Sequence, residues 1–427
     1  MTDLTRVEHT GERATDEVPR EQAAQGHELE RLRPAVGIVA HQRLAGQDAT
    51  LPRAGLLRDI TDTAVLNHVF SAGRITRAEL STLTGISKPT ISDAVRRLAA
   101  RGVLAESGLQ TGRRGRIATY YELAATSGWV LAIELDQDGL NTSSSSLAGE
   151  VFAESYRPVP PDATQLIHAL RTAVNRDRRA AQNRGPLRVL SVSVSNSVDP
   201  GRNDIISLPN SSFPEGLINI RRVLDDLGDT LILLENDVNL AAHAERRVGV
   251  ARDASSFGYL YLGSGLGFAF HVGDQLIRGA RGLAGAIGYL PTGPAPAGTV
   301  LQALVSQGFG RPDGTALDVR AVRAVLDLAR ANDPAARMRV DMFCRTLVIA
   351  VAAVHAVNDP ELLVLGGPIG KHPWLLERLR HAVAEQFPLT AKITASAVDG
   401  SAALRGATMR ALADGRQQLL NTSASGN

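Results

Sequence analysis

The chain has 427 residues, 44% of them hydrophobic, with a formal net charge of +2 and one cysteine. That length implies two or three domains with ample core material, and a single thiol excludes a disulfide framework or a zinc site built from several thiolates. No uninterrupted apolar run reaches the ~18–20 residues that span a bilayer, and the N-terminus MTDLTRVEHTGERATDEVPR lacks a signal peptide's apolar core, so a cytoplasmic protein without membrane contact is expected.

Residues 1–54 are rich in Glu, Arg, Gln, Thr and Gly and show no sustained apolar period, the composition of a disordered arm. Residues 55–125 read as one winged helix-turn-helix DNA-binding domain. Its first helix, Ile60–Phe70, places Ala64, Val65, Val69 and Phe70 on one face, with Thr61 or Asp62 as the cap. The second, Thr76–Leu83, has Thr76 and Glu79 at capping-box spacing. Gly85 supplies a turn, and Ser87 caps a third helix, Lys88–Ala100, which tolerates Pro89 in its first turn. Ile91, Val95 and Leu98 share one side of that helix, facing the first two helices. Ser87, Lys88, Pro89, Thr90, Ser92, Arg96 and Arg97 form the face expected to meet DNA, the helix entering the major groove.

Two short strands around Gly112-Arg113-Arg114-Gly115-Arg116 describe a β-wing whose arginines suit a phosphate backbone or a minor groove. Residues 56–124 carry ten Lys+Arg against six Asp+Glu, so the near-neutral total hides a basic module. A small helical module with a solvated charged face is the alternative.

Residues 126–415 change texture. Apolar runs at Val130–Leu135, Leu187–Val194, Leu231–Leu234, Tyr259–Leu262 and Leu362–Leu365 alternate with helical stretches and Gly-rich turns, an α/β pattern with buried sheets. The length suits two similar lobes, although no repeat is visible. Cys344 falls in the apolar run Met342–Val354, a core helix, and residues 416–427 read as a flexible tail.

Several segments together resemble the ROK family, which groups repressors, open reading frames and sugar kinases. They are Ser87-Lys-Pro-Thr-Ile-Ser-Asp-Ala-Val-Arg-Arg-Leu, the Arg-Gly wing, Glu235-Asn-Asp-Val-Asn-Leu-Ala-Ala, Gly263-Ser-Gly-Leu-Gly-Phe, Gly282-Leu-Ala-Gly-Ala-Ile-Gly-Tyr and Val364-Leu-Gly-Gly-Pro-Ile, in the family's order over about residues 56–412. The resemblance implies a two-lobed, actin-like, sugar-kinase-type α/β region behind an α+β winged helix-turn-helix domain. It also implies an oligomeric regulator whose grip on operator DNA responds to a sugar or a partner.

Departures from the family are as informative as matches. Kinases of the family carry an Asp-x-Gly-Gly-Thr phosphate loop. The matching stretch is Glu134-Leu-Asp136-Gln-Asp138-Gly-Leu-Asn-Thr142, whose carboxylates would repel a triphosphate. Asn236 and Asp237 match the family's sugar-binding pair, Asp237 at the catalytic base, though both also suit a helix cap. Asn210 matches a further sugar contact. The family's sugar-binding Glu and zinc-binding His are replaced by Ala286 and Tyr289, and its cysteine cluster is missing, so no zinc is expected.

The resulting expectation is a repressor of carbohydrate-related genes with no catalytic residue, metal or cofactor. Its partners are operator DNA and a sugar or sugar-derived effector bound near Asn210, Asn236 and Asp237, and it forms a homodimer or homotetramer. The alternatives are a ROK-type sugar kinase, or a regulator whose α/β region only dimerises.

Overall fold

Local capping sets the first helices of the structure, a computed structural model that describes residues 54–111, 117–136, 139–159, 162–206, 216, 218–293, 298–387 and 391–424. Helix α1 (Ala54–Ala72) starts earlier than its expected caps allow. Thr61 and Asp62 lie inside it, the Thr61 hydroxyl donating to the Leu57 carbonyl and Asp62 pairing with Arg97. Strand β1 (Arg74–Thr76) leads into α2 (Arg77–Thr84) through a capping box. The Glu79 N–H donates to the Thr76 hydroxyl at 3.3 Å and the Thr76 N–H donates to the Glu79 carboxylate at 2.9 Å. Gly85 closes α2 at φ 69°, where a side chain would be strained. Helix α3 (Lys88–Ala100), capped by Ser87, and strands β2 (Leu104–Thr111) and β3 (Ile117–Leu123) complete the winged module, its antiparallel sheet ordered β1-β3-β2.

The lobes use one topology twice. The first holds β4 (Trp129–Leu135), β5 (Gly139–Ser146), β6 (Val151–Pro158), α4 (Ala163–Ala180) and β7 (Leu187–Val194). A ribbon of β8 (Val198–Asp199) and β9 (Asp204–Ile205) follows, then α5 (Ile220–Val223) and β10 (Leu231–Asn236). Its sheet runs β6-β5-β4-β7-β10, antiparallel on one side of β4 and parallel on the other.

Helix α6 (Asp237–Val248) crosses to the second lobe. There β11 (Ser256–Leu262), β12 (Leu266–Val272) and β13 (Gln275–Leu276) precede α7 (Val300–Leu304), α8 (Val319–Arg330) and α9 (Pro334–Asn358). Strand β14 (Leu362–Gly366), α10 (Gly367–Gly370), α11 (Pro373–Gln386) and β15 (Ile393–Ala395) complete the lobe. The order β13-β12-β11-β14-β15 repeats the first sheet, antiparallel then parallel about its central strand. Pairing geometry thus shows the duplication that residue types conceal.

Strand β5 has no apolar signature because it is a serine strand. Thr142 and Ser143–Ser146 are buried, and the Ser144 and Ser145 hydroxyls have no hydrogen-bond partner among the described residues. Helix α9 packs Phe343, Cys344, Leu347 and Val351 into the second lobe's core, and burial pushes the Cys344 thiol up to about 12, leaving it unreactive. By length and composition α9 alone among the described helices is apolar enough to cross a membrane, a segment the reading by uninterrupted runs missed, and half of its apolar window is buried in the protein.

Helix α12 (Ala402–Ala424) returns to pack on β4, β7 and α6. At Gly406 an added Cβ would stand 1.9 Å from the Leu240 carbonyl oxygen, so α6 and α12 cross at near-backbone contact. The helix then runs on into the segment expected to be a tail. Leu419 is 2% exposed and joins Val65, Leu66 and Val69 of α1 and Val130 and Val189 of the first lobe in one cluster. The Arg416 side chain donates to the Leu147 carbonyl at 2.8 Å and lies over the Phe70 ring. Residues 416–421 are therefore a packed helix, ordered by the apolar face that the module presents to them. From Ala54 onward the chain forms one compact unit.

Candidate functional site

Two regions carry the residues singled out by sequence. On α3, Ile91, Ala94, Val95 and Leu98 are wholly buried, which turns Lys88, Pro89, Thr90 and Arg96 outward and leaves Ser92 half-buried. Ser87 caps the helix and shares a 2.8 Å hydroxyl contact with Thr90. Arg96 is 72% exposed and pairs with Asp93 on its own helix. Arg97 departs from expectation: its guanidinium pairs with Asp62, whose side chain is 4% exposed, so it holds α3 to α1 instead of facing outward. Arg113, Arg114 and Arg116 lie outside the described residues, as does Asn210. The sequence reading overlooked two exposed cations on this module, Arg74 and Arg77, which stack on the Tyr120 and Tyr121 rings. The adjacent tyrosines two strands away were the only signal, and pairing of β1 with β3 makes it meaningful.

Between the lobes lies a cavity of about 440 Å³. Asn236 ends β10 and caps α6, its Oδ1 accepting from the N–H groups of Val238 (3.0 Å) and Asn239 (3.3 Å), and its amide donating to the Asn196 carbonyl (3.2 Å). The capping role and the cleft position thus coexist. Asp237, the first residue of α6, also lines the cavity. Burial pushes its carboxyl up to about 6, partly offset by the Val238 N–H at 2.8 Å and by Ser195.

Glu134 was overlooked as a site residue, and it stands beside that pair. Burial, then the nearby carboxylates of Asp136 and Asp237, push it up to about 7, against hydrogen bonds from Ser401 (2.6 Å) and Asn141 (3.0 Å). Ser401 precedes α12 and caps it by accepting from the Leu404 N–H at 3.1 Å, so Glu134 ties the cleft to the start of that helix. Only folding brings the two together.

On the side matching the family's phosphate loop, an acid and a glycine loop line the cavity. Asp136 accepts from the Gly139 N–H at 2.7 Å across the β4–β5 turn, and Asp138 lies outside the described residues. Two glycines of the loop after β11 are explained by close approach, while Gly265 lines the cavity with nothing within 4 Å of an added Cβ. A Cβ on Gly263 would meet the Tyr261 hydroxyl at 2.5 Å, and one on Gly267 would meet Val238 at 2.7 Å. Lys371 is the one cation among the described residues lining the cavity, and its ammonium is tethered to the Val398 carbonyl at 2.7 Å. Ala286 and Tyr289 also line it. A methyl group and a phenol are not a zinc donor set, so the residues present do not fit the family's metal.

A family model described as the ROK family matches residues 130–414. The chain belongs to the ROK family. A second model, described as winged helix-turn-helix DNA-binding, matches residues 58–105. This ROK protein is 22% identical over 356 residues to the xylose repressor of Caldicellulosiruptor bescii, covering 78% of this chain and 89% of that one. Among solved structures it resembles a ROK family transcriptional regulator, a homolog of the Escherichia coli MLC protein, at TM-score 0.62 and 20% identity, covering 86% of this chain and 99% of the other. It also resembles the ROK hexokinase from Thermus thermophilus at TM-score 0.52 and 25% identity, covering 68% and 99%. The regulator spans more of this chain than the kinase does.

Proposed function

We propose that this ROK protein is a cytoplasmic transcriptional repressor of carbohydrate-related genes that binds operator DNA as a homodimer or homotetramer. Its cleft is an effector pocket without phosphotransfer. The observation that carries this reading is α12: Ser401, Ala402 and Ala403 at its start line the cleft, and Leu419 near its end lies in the core of the winged module. A ligand that moves Ser401 relative to Glu134 acts on the helix that seats the DNA-binding module. The outward face of Lys88, Thr90, Ser92 and Arg96, joined by the arginines of the wing, then reads a half-site, and two copies read a palindrome. Such coupling requires the ligand to bind the two arrangements of α12 with different affinity.

The relatives support the same direction, since the C. bescii relative is named a xylose repressor and the regulator structure spans the module. The kinase reading draws on one feature, Asp237 at the position of the family's base, but the Asp136 carboxylate opposes a nucleotide triphosphate beside it. Fluorescence anisotropy with the full chain tests the proposal, comparing duplex from the region upstream of its own gene with random duplex. Equal affinity for both overturns the repressor reading. ADP release on any member of a sugar panel overturns the non-enzymatic one. Melting-temperature shifts across the same panel separate an effector pocket from a dimerisation scaffold.

A further inference from the structure

A second cavity, of about 370 Å³, lies between α6, the β12–β13 turn and α12. At helical spacing, Asp237, Val238 and Ala241 face the cleft, Leu240 and His243 face this second space, and Asn239 lines both. Helix α6 is thus a wall with a chamber on either side; the second holds two guanidinium groups, Arg278 and Arg410, beside the carboxylates of Glu235, Asp274 and Asp414, where the cleft holds one cation among the described residues, Lys371.

The second chamber is organised by Glu235. Its Oε2 accepts from Arg278 Nε at 2.7 Å and from Arg410 at 2.6 Å, while Oε1 accepts from the Asn239 amide at 2.9 Å. One carboxylate therefore serves two guanidinium groups. Asp414 stands 3.7 Å from Arg410, and Asp274 is taken up by Arg246 at 2.8 Å. Two histidines, His243 and His271, also line this chamber. Burial first, then the charges of Arg247, Arg410 and Arg278, push His243 down to about 4. His271 is likewise pushed to about 4, by burial, His243 and the arginines Arg246 and Arg278. Asp274, the one group raising either, does not reverse the shift. His271 is wholly buried, and neither ring nitrogen has a hydrogen-bond partner among the described residues, an unfavourable arrangement for polar groups cut off from water.

We propose that this chamber is a second ligand site, taking a small oxyanion, a phosphate or carboxylate group, between Arg278 and Arg410. A guanidinium has five N–H donors in a planar fork, so each can keep Glu235 and still donate to an incoming oxyanion. The half-buried His243 imidazole, neutral at pH 7.5, adds a further polar group to the wall. The site goes beyond the effector pocket and stands whether or not the cleft binds sugar. Its occupant would touch Arg410 on α12, the helix whose Leu419 packs against the winged module.

Titration calorimetry on the full chain tests this with inorganic phosphate in one arm and malonate in the other, at constant ionic strength and pH 7.5. Arg410→Gln removes a guanidinium. Ala413→Phe, at an exposed position lining the chamber, narrows its mouth while leaving the Glu235 cluster intact. Lys88→Ala serves as the control for anions held on the DNA-binding face. The expected result is one-site binding of at least one anion, weakened about tenfold or more in both chamber variants and unchanged in Lys88→Ala. Preference between the two anions identifies the group recognised. Absence of binding by either anion overturns the proposal, as does full-strength binding by Ala413→Phe or loss in Lys88→Ala.

Discussion

The outward face of α3 presents Lys88 and Arg96 among short hydroxyl side chains, whereas the cleft between the lobes presents Glu134, Asp136 and Asp237 with one tethered cation, Lys371. A phosphate approaching the first surface meets the exposed side chains of Lys88 and of Arg96, which pairs with Asp93; one approaching the second meets the buried Glu134 and the half-buried Asp136 and Asp237. The fold in both regions is that of the family. What differs is how the charged groups are presented: Lys88 and Arg96 stand in solvent on α3, whereas the acids of the cleft are withdrawn from it and pushed towards their neutral forms at Glu134 and Asp237. The comparison breaks most visibly through salt. Raising it from about 50 mM to about 200 mM is expected to weaken DNA binding by on the order of 10³-fold if six or more phosphates are contacted. A neutral sugar in the cleft should show almost no change over the same range. Anisotropy and calorimetry across a salt series measure the two slopes, and a flat DNA slope would remove the contrast.

The next largest effect concerns what joins the regions. Leu419 is packed between α1 and the first lobe, so Leu419→Ala is expected to cost about 2–5 kcal/mol. Because Val65 and Val69 of the module share that cluster with Val130 and Val189, urea unfolding followed at Trp129 should shift together with loss of DNA binding. Retained stability of the lobes with loss of DNA binding alone would show the module to be independently seated.

The module was legible because its signals are local. Thr76 with Glu79, Gly85, and Ser87 before Lys88 each act over a few residues, and the structure places α2 and α3 within a residue of where those signals put them. Arg97 was misread because its partner, Asp62, lies 35 positions away on another helix. The lobes were legible only where apolar runs mark buried strands. Strand β5 escaped because serines fill its buried positions, and the duplicated sheet escaped because register, not residue type, repeats. In the cleft, Asn236 and Asp237 stood out as a motif. Glu134 did not, since its meaning comes from Ser401, 267 positions away.

Burial of that carboxyl, against the Ser401 contact, gives the cleft a pH signature of its own. Burial raises Glu134 from 4.5 to about 7, so the folded state holds its proton more tightly than the unfolded chain. Stability from this group is full below about pH 4.5 and is lost as pH rises towards about 7, at most about 3 kcal/mol for the shift cited. Asp237 adds a loss of the same sign between 3.8 and about 6. Glu134→Gln should flatten the upper part of this decline, which chemical denaturation at pH 5, 6 and 7.5 would measure. A decline of undiminished steepness in the variant would assign the pH dependence elsewhere.

The smallest effect tests whether the module's start is set by its own capping chemistry or by the lobes behind it. Thr76→Ala removes the hydroxyl that accepts from the Glu79 N–H and that donates to its carboxylate at 2.8 Å. The expected cost is about 1 kcal/mol. Glu79 keeps its bond from the backbone N–H of residue 76, so half of the box survives and the helix frays rather than melts. Hydrogen exchange at the first turn of α2 should therefore accelerate by about fivefold for a 1 kcal/mol loss, while amides of β4 and β7 keep their protection. Arg77 lies in that turn with its guanidinium over Tyr121, so a frayed start also loosens one of the exposed cations of the module. Equal acceleration in β4 would mean that the cap is felt through the shared core at Val130, and that DNA-binding module and lobes open as one unit.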